Sequence, residues 1–135
     1  MQKLESIGVR VEPSLEATGN LLPVLHEILH ALRQFTQTGE PTVIDLAAIP
    51  FAPGDEENLM EMLGGGEIRI TVDSLGPTYI RETRYHGVWL VDYRSEADDR
   101  IGLQIEITDI PSLVRTPTAD LGDAAAALQR FLSED

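Results

Sequence analysis

Apolar and polar residues alternate in the middle of the chain, and this pattern constrains the fold more than any other feature. The stretch 64–94, GGGEIRITVDSLGPTYIRETRYHGVWLVDYR, has a glycine break followed by three strand-like segments. In the first segment Ile68, Ile70 and Val72 alternate with polar residues, which predicts one buried and one wet face. Turns of only a few residues join the segments, so the strands must pair antiparallel.

Helical and strand-like patterns flank this stretch on both sides. Asn20 and Gly39 are typical of the start and end of a helix. Between them one apolar stripe is formed by Leu21, Leu25, Ile28, Leu32 and Phe35. The remaining predicted elements are a buried strand over TVIDLAAI, an acidic helix over 55–63, a strand over 100–108, a helical turn over 110–114, and a final helix from near Thr118 or Asp120 to Phe131.

These elements predict an α+β fold, in which an antiparallel β-meander of about four to five strands has helices packed on one face. A chain of 135 residues is of single-domain size and can bury an ordinary core. We therefore expect one domain over 1–135. Residues 1–19 are expected to form a short strand or a loosely ordered arm.

The charge and cysteine content exclude several classes of function. The net charge is -13, so the chain repels phosphate backbones and anionic membranes, and neither nucleic acid nor membrane is an expected partner. The absence of cysteine excludes disulfides, thiolate metal sites and thiol nucleophiles. No segment resembles a signal peptide or a transmembrane span, which favours a cytoplasmic location.

The segment HEILH, residues 26–30, matches a zinc-protease pattern. His26 and His30 share a helix face and could ligate zinc, with Glu27 activating a bound water. A third ligand would have to come from Glu56, Glu57, Glu61 or His86. However, the apolar stripe centres near Leu25 and Leu32, and the two histidines lie roughly 120° to 160° from that centre, on the polar face of the helix. We therefore expect no metal, no cofactor and no enzymatic activity. A metal-binding protein or zinc-dependent hydrolase that uses this segment is the alternative.

The predicted strand region is the best candidate for a protein-binding surface. Tyrosine, tryptophan and arginine most often anchor protein interfaces. The residues expected to bind a partner are Arg81, Arg84, Tyr85, His86 and Trp89. The competing interpretation is that Tyr85 and Trp89 complete the core while the arginines offset local acidity.

Several motifs together resemble one protein family, the HupH/HyaF hydrogenase-expression proteins. The resemblance covers roughly residues 21–110 and corresponds to the C-terminal conserved region of that family. The motifs that carry it are LHEI, TGEPTVIDL, APGD, DSLGPT, IRET and HGVW.

The resemblance implies an accessory protein, or chaperone, for the maturation of [NiFe] hydrogenases. The implied partner is the precursor of the small, iron–sulfur-bearing subunit or another maturation protein. Longer family members look like two such regions in tandem, so this chain could pair with a second copy as a homodimer. The family supplies no active-site motif, so no catalytic residues are carried over.

Overall fold

The computed structural model of the protein describes residues 20–134, so the expected N-terminal strand or arm lies outside the described residues. The helices are α1 (Leu21–Thr38), α2 (Asp55–Leu63) and α3 (Thr118–Ser133). The strands are β1 (Thr42–Asp45), β2 (Arg69–Asp73), β3 (Pro77–Glu82), β4 (Val88–Arg94) and β5 (Arg100–Ile107). Single 3-10 turns lie at Leu46–Ala48 and Ser112–Val114.

The five strands form one antiparallel sheet in the order β1-β5-β4-β3-β2. Strands β2 to β5 form the predicted meander, since each hairpin turn pairs neighbours in sequence. Strand β1 pairs with β5, with Ile44 opposite Ile105, and so extends the sheet beyond the meander. The α+β prediction is confirmed.

Strand β1 is shorter than the predicted segment TVIDLAAI. The chain leaves the sheet after Asp45, whose carboxylate accepts a hydrogen bond from the Ala47 N–H at 3.0 Å and starts a 3-10 turn. The apolar run therefore spans two elements, strand β1 and the 3-10 turn. Leu46 is buried, and it belongs to the turn.

Helices α1 and α2 cover one face of the sheet, as predicted. Their buried residues Ile28 and Leu59 join the same core cluster as Leu90 and Ile105 from the central strands. The buried side of α1 differs from the predicted stripe. Its fully buried residues are Leu21, Val24, Ile28 and Ala31, while Leu25 and Leu32 are only partly buried.

The opposite face of the sheet has a smaller core. Trp89 and Val91 of β4 pack with Ile80 of β3, because these residues alternate with those that face the helices. Ile70, Val72 and Tyr93 are partly buried around them.

The third helix differs from the other two, because no residue of α3 is buried. In the part of the chain that the structure describes, no helix is both long enough and apolar enough to cross a membrane.

Candidate docking surface

Three arginines without acidic partners lie together at the β2–β3 side of the sheet. Arg69 of β2 and Arg81 of β3 are directly opposite in the register. Arg84 follows in the turn after β3. Within residues 20–134 none of the three forms an ion pair, although the chain carries a net charge of -13. We call Arg69, Arg81 and Arg84 the arginine surface.

Two cross-strand arginines repel each other and weaken the sheet slightly, because like charges directly opposite are destabilising. Folding alone does not favour this arrangement. An anionic group bound between the two guanidinium groups would offset the repulsion and form charge-assisted hydrogen bonds with both.

A glycine turn after α2 positions Arg81 and Arg84. Arg81 Nη1 donates to the Gly64 carbonyl oxygen at 2.7 Å, and the Arg84 N–H donates to the Leu63 carbonyl oxygen at 2.8 Å. A Cβ at Gly64 would lie 2.6 Å from Arg84 Nε, and Gly64 has a φ of 64°, so no side chain fits this position without strain. The glycine break predicted from the sequence therefore follows directly on the acidic helix, which ends at Leu63.

Residue parity along a strand predicts that Arg81 and Arg84 point to opposite faces, and this prediction is wrong. Strand β3 ends at Glu82, so Arg84 belongs to the following turn and strand parity no longer applies to it. Both guanidinium groups lie near the glycine turn. That of Arg81 lies beside Gly64 and Gly65, and that of Arg84 lies beside Gly64.

Buried polar groups fix the backbone of the β3–β4 turn, residues 83–87. The carboxylate of Glu82 accepts a hydrogen bond from the Gly87 N–H at 3.0 Å. The Thr83 hydroxyl accepts from the Tyr85 N–H at 3.2 Å. Both Glu82 and Thr83 are buried. The turn therefore presents its exposed side chains from a backbone with little freedom to move.

Tyr85 and His86 are the exposed side chains at the tip of this turn, beside Arg84. The His86 side chain is 93% exposed, and its Nδ1 lies 3.6 Å from Glu82 Oε1. Trp89 is different, because it is only 4% exposed and its Nε1 donates to the Thr108 carbonyl oxygen at 3.0 Å. The expectation of a partner contact by Trp89 does not fit this position, which is in the core of the second face.

A shallow depression extends the arginine surface across the sheet. It lies between Arg69, Arg81 and Tyr79, and its single acidic residue is Asp92. Asp92 is already neutralised, with Arg94 Nη2 at 2.9 Å and Arg100 Nε at 3.5 Å. The hydrogen bonds that the Arg94 guanidinium donates to the Asp92 carboxylate raise the pKa of Arg94. Arg69 and Arg81 therefore remain as unpaired cations beside the depression.

The histidines of the HEILH segment lie elsewhere. His26 and His30 are exposed on α1, on the side away from the buried residues Val24 and Ile28. Across residues 20–134 no group of three or more His, Cys, Asp and Glu side chains is placed to hold a metal ion. The structure does not bring His86, Glu56, Glu57 or Glu61 into such a group.

Sequence reasoning missed Arg69 of the arginine surface, Tyr79 of the neighbouring depression, and Glu82 beneath the β3–β4 turn. For Arg69, the position of the β2–β3 turn at Leu75 is the signal that could have found it. A hairpin pairs residues at equal distances from its turn, which places Arg69 opposite Arg81. The burial of Glu82 depends on the path of the β3–β4 turn and has no local signal in the sequence.

Comparisons with known proteins give a consistent set of relatives. Residues 19–134 match the family model described as the C-terminal conserved region of the HupH hydrogenase expression protein. The hydrogenase expression/formation protein HupQ of Azotobacter chroococcum is 33% identical over 114 residues, which are 83% of this chain and 40% of that protein. HupH of Rhizobium leguminosarum is 27% identical over 117 residues, 87% of this chain and 42% of that protein.

A solved structure is also similar to this chain. It is the hydrogenase expression protein HupH from Thiobacillus denitrificans, with 39% sequence identity and a TM-score of 0.83. The match covers 87% of this chain and 98% of that one. By contrast, the chain spans less than half the length of the two curated relatives.

Proposed function

Since the chain belongs to the family defined by the C-terminal conserved region of HupH hydrogenase expression proteins, we propose that it is a non-enzymatic accessory protein in [NiFe] hydrogenase maturation. Its partner in this proposal is the precursor of the small, iron–sulfur subunit. The single observation that supports the maturation role most strongly is the 39% identity to a solved hydrogenase expression protein over 87% of this chain.

The arginine surface is the proposed docking point for that precursor. Arg69, Arg81 and Arg84 have no acidic partner among the described residues, and Arg81 is held by the glycine turn. Arginine presents a rigid fork of donors that matches a carboxylate. The segment of the precursor that binds here is therefore acidic, or ends in a carboxylate.

The neighbouring side chains favour binding over catalysis. Tyr79, Tyr85 and His86 are exposed beside the arginines, and aromatic residues together with arginine are typical of interface centres. The surface is a shallow, open part of a sheet, whereas enzyme sites are usually enclosed clefts that exclude water.

Co-purification tests this proposal. The tagged chain is expressed together with the hydrogenase small subunit, and the proteins retained with it are identified. We expect the small-subunit precursor to be retained, and to be lost from an Arg81→Ala, Arg84→Ala, His86→Ala variant. Failure to retain that subunit or any other maturation protein would contradict the proposed function. Unchanged retention by the variant would exclude only this surface.

A further inference from the structure

We propose that α3 is a dimerisation helix that pairs antiparallel with α3 of a second copy of this chain. The proposal does not rest on the proposed function. It starts from the exposure of four large apolar side chains on one helix: Leu121, Leu128, Phe131 and Leu132 are between 58% and 73% exposed. Large apolar side chains grouped in this way on a surface mark an interaction site.

The exposed apolar residues form one stripe along α3. Leu121, Ala125, Leu128 and Leu132 follow each other at spacings of four, three and four residues, which is the seam spacing of a two-helix coiled coil. Ala124 and Phe131 lie along one side of this seam. We call these six residues the α3 stripe.

Two of the three charged residues of α3 lie away from the stripe, and the third, Asp120, lies at its edge, four residues before Ala124. Asp123 and Arg130 fall on the opposite side of the helix, at 100° per residue. The stripe is therefore an uncharged strip on a chain of net charge -13. Two copies of so acidic a chain repel each other over most of their surfaces, and the stripe residues themselves bring no charge into the contact.

An antiparallel pair matches large residues with small ones. With the two-fold axis between Ala125 and Leu128, each Leu128 packs on Ala125 of the other copy. Phe131 then lies beside Ala124 of the other copy, and Leu121 meets Leu132 at each end. A parallel pair would instead place alanine against alanine and leave a gap at that layer, which loses packing energy. The antiparallel pair also brings helix ends of opposite dipole together.

The size of the contact is sufficient for a specific dimer. Helix α3 has 16 residues and is about 24 Å long. Pairing two such helices along the stripe removes on the order of 1,000 Å² of surface from water, the lower limit for a specific interface. An isolated helix of this length is marginal in water, and burial of its apolar side stabilises it.

Sedimentation equilibrium of the full chain at 0.15 M salt, about physiological ionic strength, tests the dimer. We expect about twice the 14.9 kDa mass of one chain. Leu128→Asp should raise the dimer dissociation constant roughly tenfold or more, whereas Leu75→Asp should not change it. Leu75 is the matched control, because it is 87% exposed and lies in the β2–β3 turn. A monomeric parent chain, or equal effects of both substitutions, would overturn the proposal.

Cross-linking tests the antiparallel arrangement, and the absence of native cysteine removes background. Under oxidising conditions a mixture of Leu121→Cys and Leu132→Cys chains should give a disulfide-linked dimer, while each variant alone should not. A mixture of Leu75→Cys and Leu132→Cys is the control for random collision. Self-linking of either single variant, or no more product than the control, would overturn the antiparallel pairing.

Discussion

At the scale of single residues, Glu82 connects the arginine surface to the core. Its buried carboxylate accepts the Gly87 N–H and so holds the β3–β4 turn. We expect Glu82→Ala to lower the free energy of unfolding by about 1–3 kcal/mol, because the partly buried Gly87 N–H loses its acceptor. Denaturant titration measures the change. Glu61→Ala, at an exposed position of α2, is the control and should have little effect. An equal loss in both variants would contradict the role of Glu82.

Tyr93 predicts a pH dependence at alkaline pH. Burial, and secondly the charge of Glu106, raise the pKa of Tyr93 above its ordinary value of 10.0. A raised pKa means that the folded state binds the proton more tightly. The raised pKa of Tyr93 therefore stabilises the folded state fully below pH 10.0. This stabilisation is lost as the pH rises through the folded-state pKa of Tyr93.

Removing the charge of Glu106 should lower the pKa of Tyr93 without restoring it fully, because burial remains the larger cause. Ultraviolet titration of the Glu106→Gln variant measures this shift, with Tyr93→Phe identifying the signal among the three tyrosines. Glutamine retains an acceptor for the Ser112 N–H, which Glu106 binds at 3.1 Å. An unchanged titration curve would show that Glu106 does not act on Tyr93.

Two glycines should respond oppositely to substitution by alanine. Gly76 has a φ of 113°, and a Cβ there would lie 2.6 Å from the Arg94 carbonyl oxygen. Gly76→Ala should therefore destabilise the fold by at least about 2 kcal/mol. Gly122 lies in α3 with nothing near its position, so Gly122→Ala should raise helix content without loss of stability. Thermal unfolding and circular dichroism measure both. A tolerated Gly76→Ala would contradict the turn geometry.

At the scale of the secondary-structure elements, α1 shows how far the sequence pattern reaches. The pattern predicts the helix and its end, and Gly39 ends it with a φ of 75°. It misplaces the centre of the buried side, because large leucines dominate the pattern. In the structure Val24 and Ala31 are buried at the contact, where small side chains let the helix approach the sheet.

This difference changes which substitutions should destabilise α1. Ile28→Ala should cost about 2–5 kcal/mol, because Ile28 is buried in the main core. Leu25→Ala and Leu32→Ala should cost less, since both side chains are only partly buried. Leu29→Ala is the exposed control and should stay within about 0.5 kcal/mol. Denaturant titration ranks the four variants. A larger loss at Leu25 than at Ile28 would instead place the centre of the buried side at Leu25.

The pairing of four strands of the sheet could be predicted from the sequence, and the pairing of the fifth could not. Strands β2 to β5 are joined by short turns, so alternation and turn length predict their pairing. The pairing of β1 with β5 brings Thr42 beside Ile107, and no local pattern encodes this long-range contact. The arginine surface also depends on a contact between residues that are distant in sequence. The hydrogen bond from Arg81 to the Gly64 carbonyl oxygen joins strand β3 to the end of α2.

At the scale of the whole molecule, the chain combines a strong negative charge with a small cationic surface. Ion pairs occupy Arg94, Arg100 and Arg115, whereas the arginine surface has none among residues 20–134. A partner with an acidic segment is repelled by much of the molecule and attracted at the arginine surface. This distribution favours a defined docking orientation over strong nonspecific binding.

Binding of purified hydrogenase small-subunit precursor to matched charge variants tests this account most directly. Arg69→Glu reverses a charge on the arginine surface, and Arg33→Glu makes the same change at an exposed position of α1. We expect the parent chain and Arg33→Glu to bind with equal affinity, and Arg69→Glu to bind roughly tenfold more weakly or worse. Equal weakening by both variants, or no binding by the parent chain, would contradict the account.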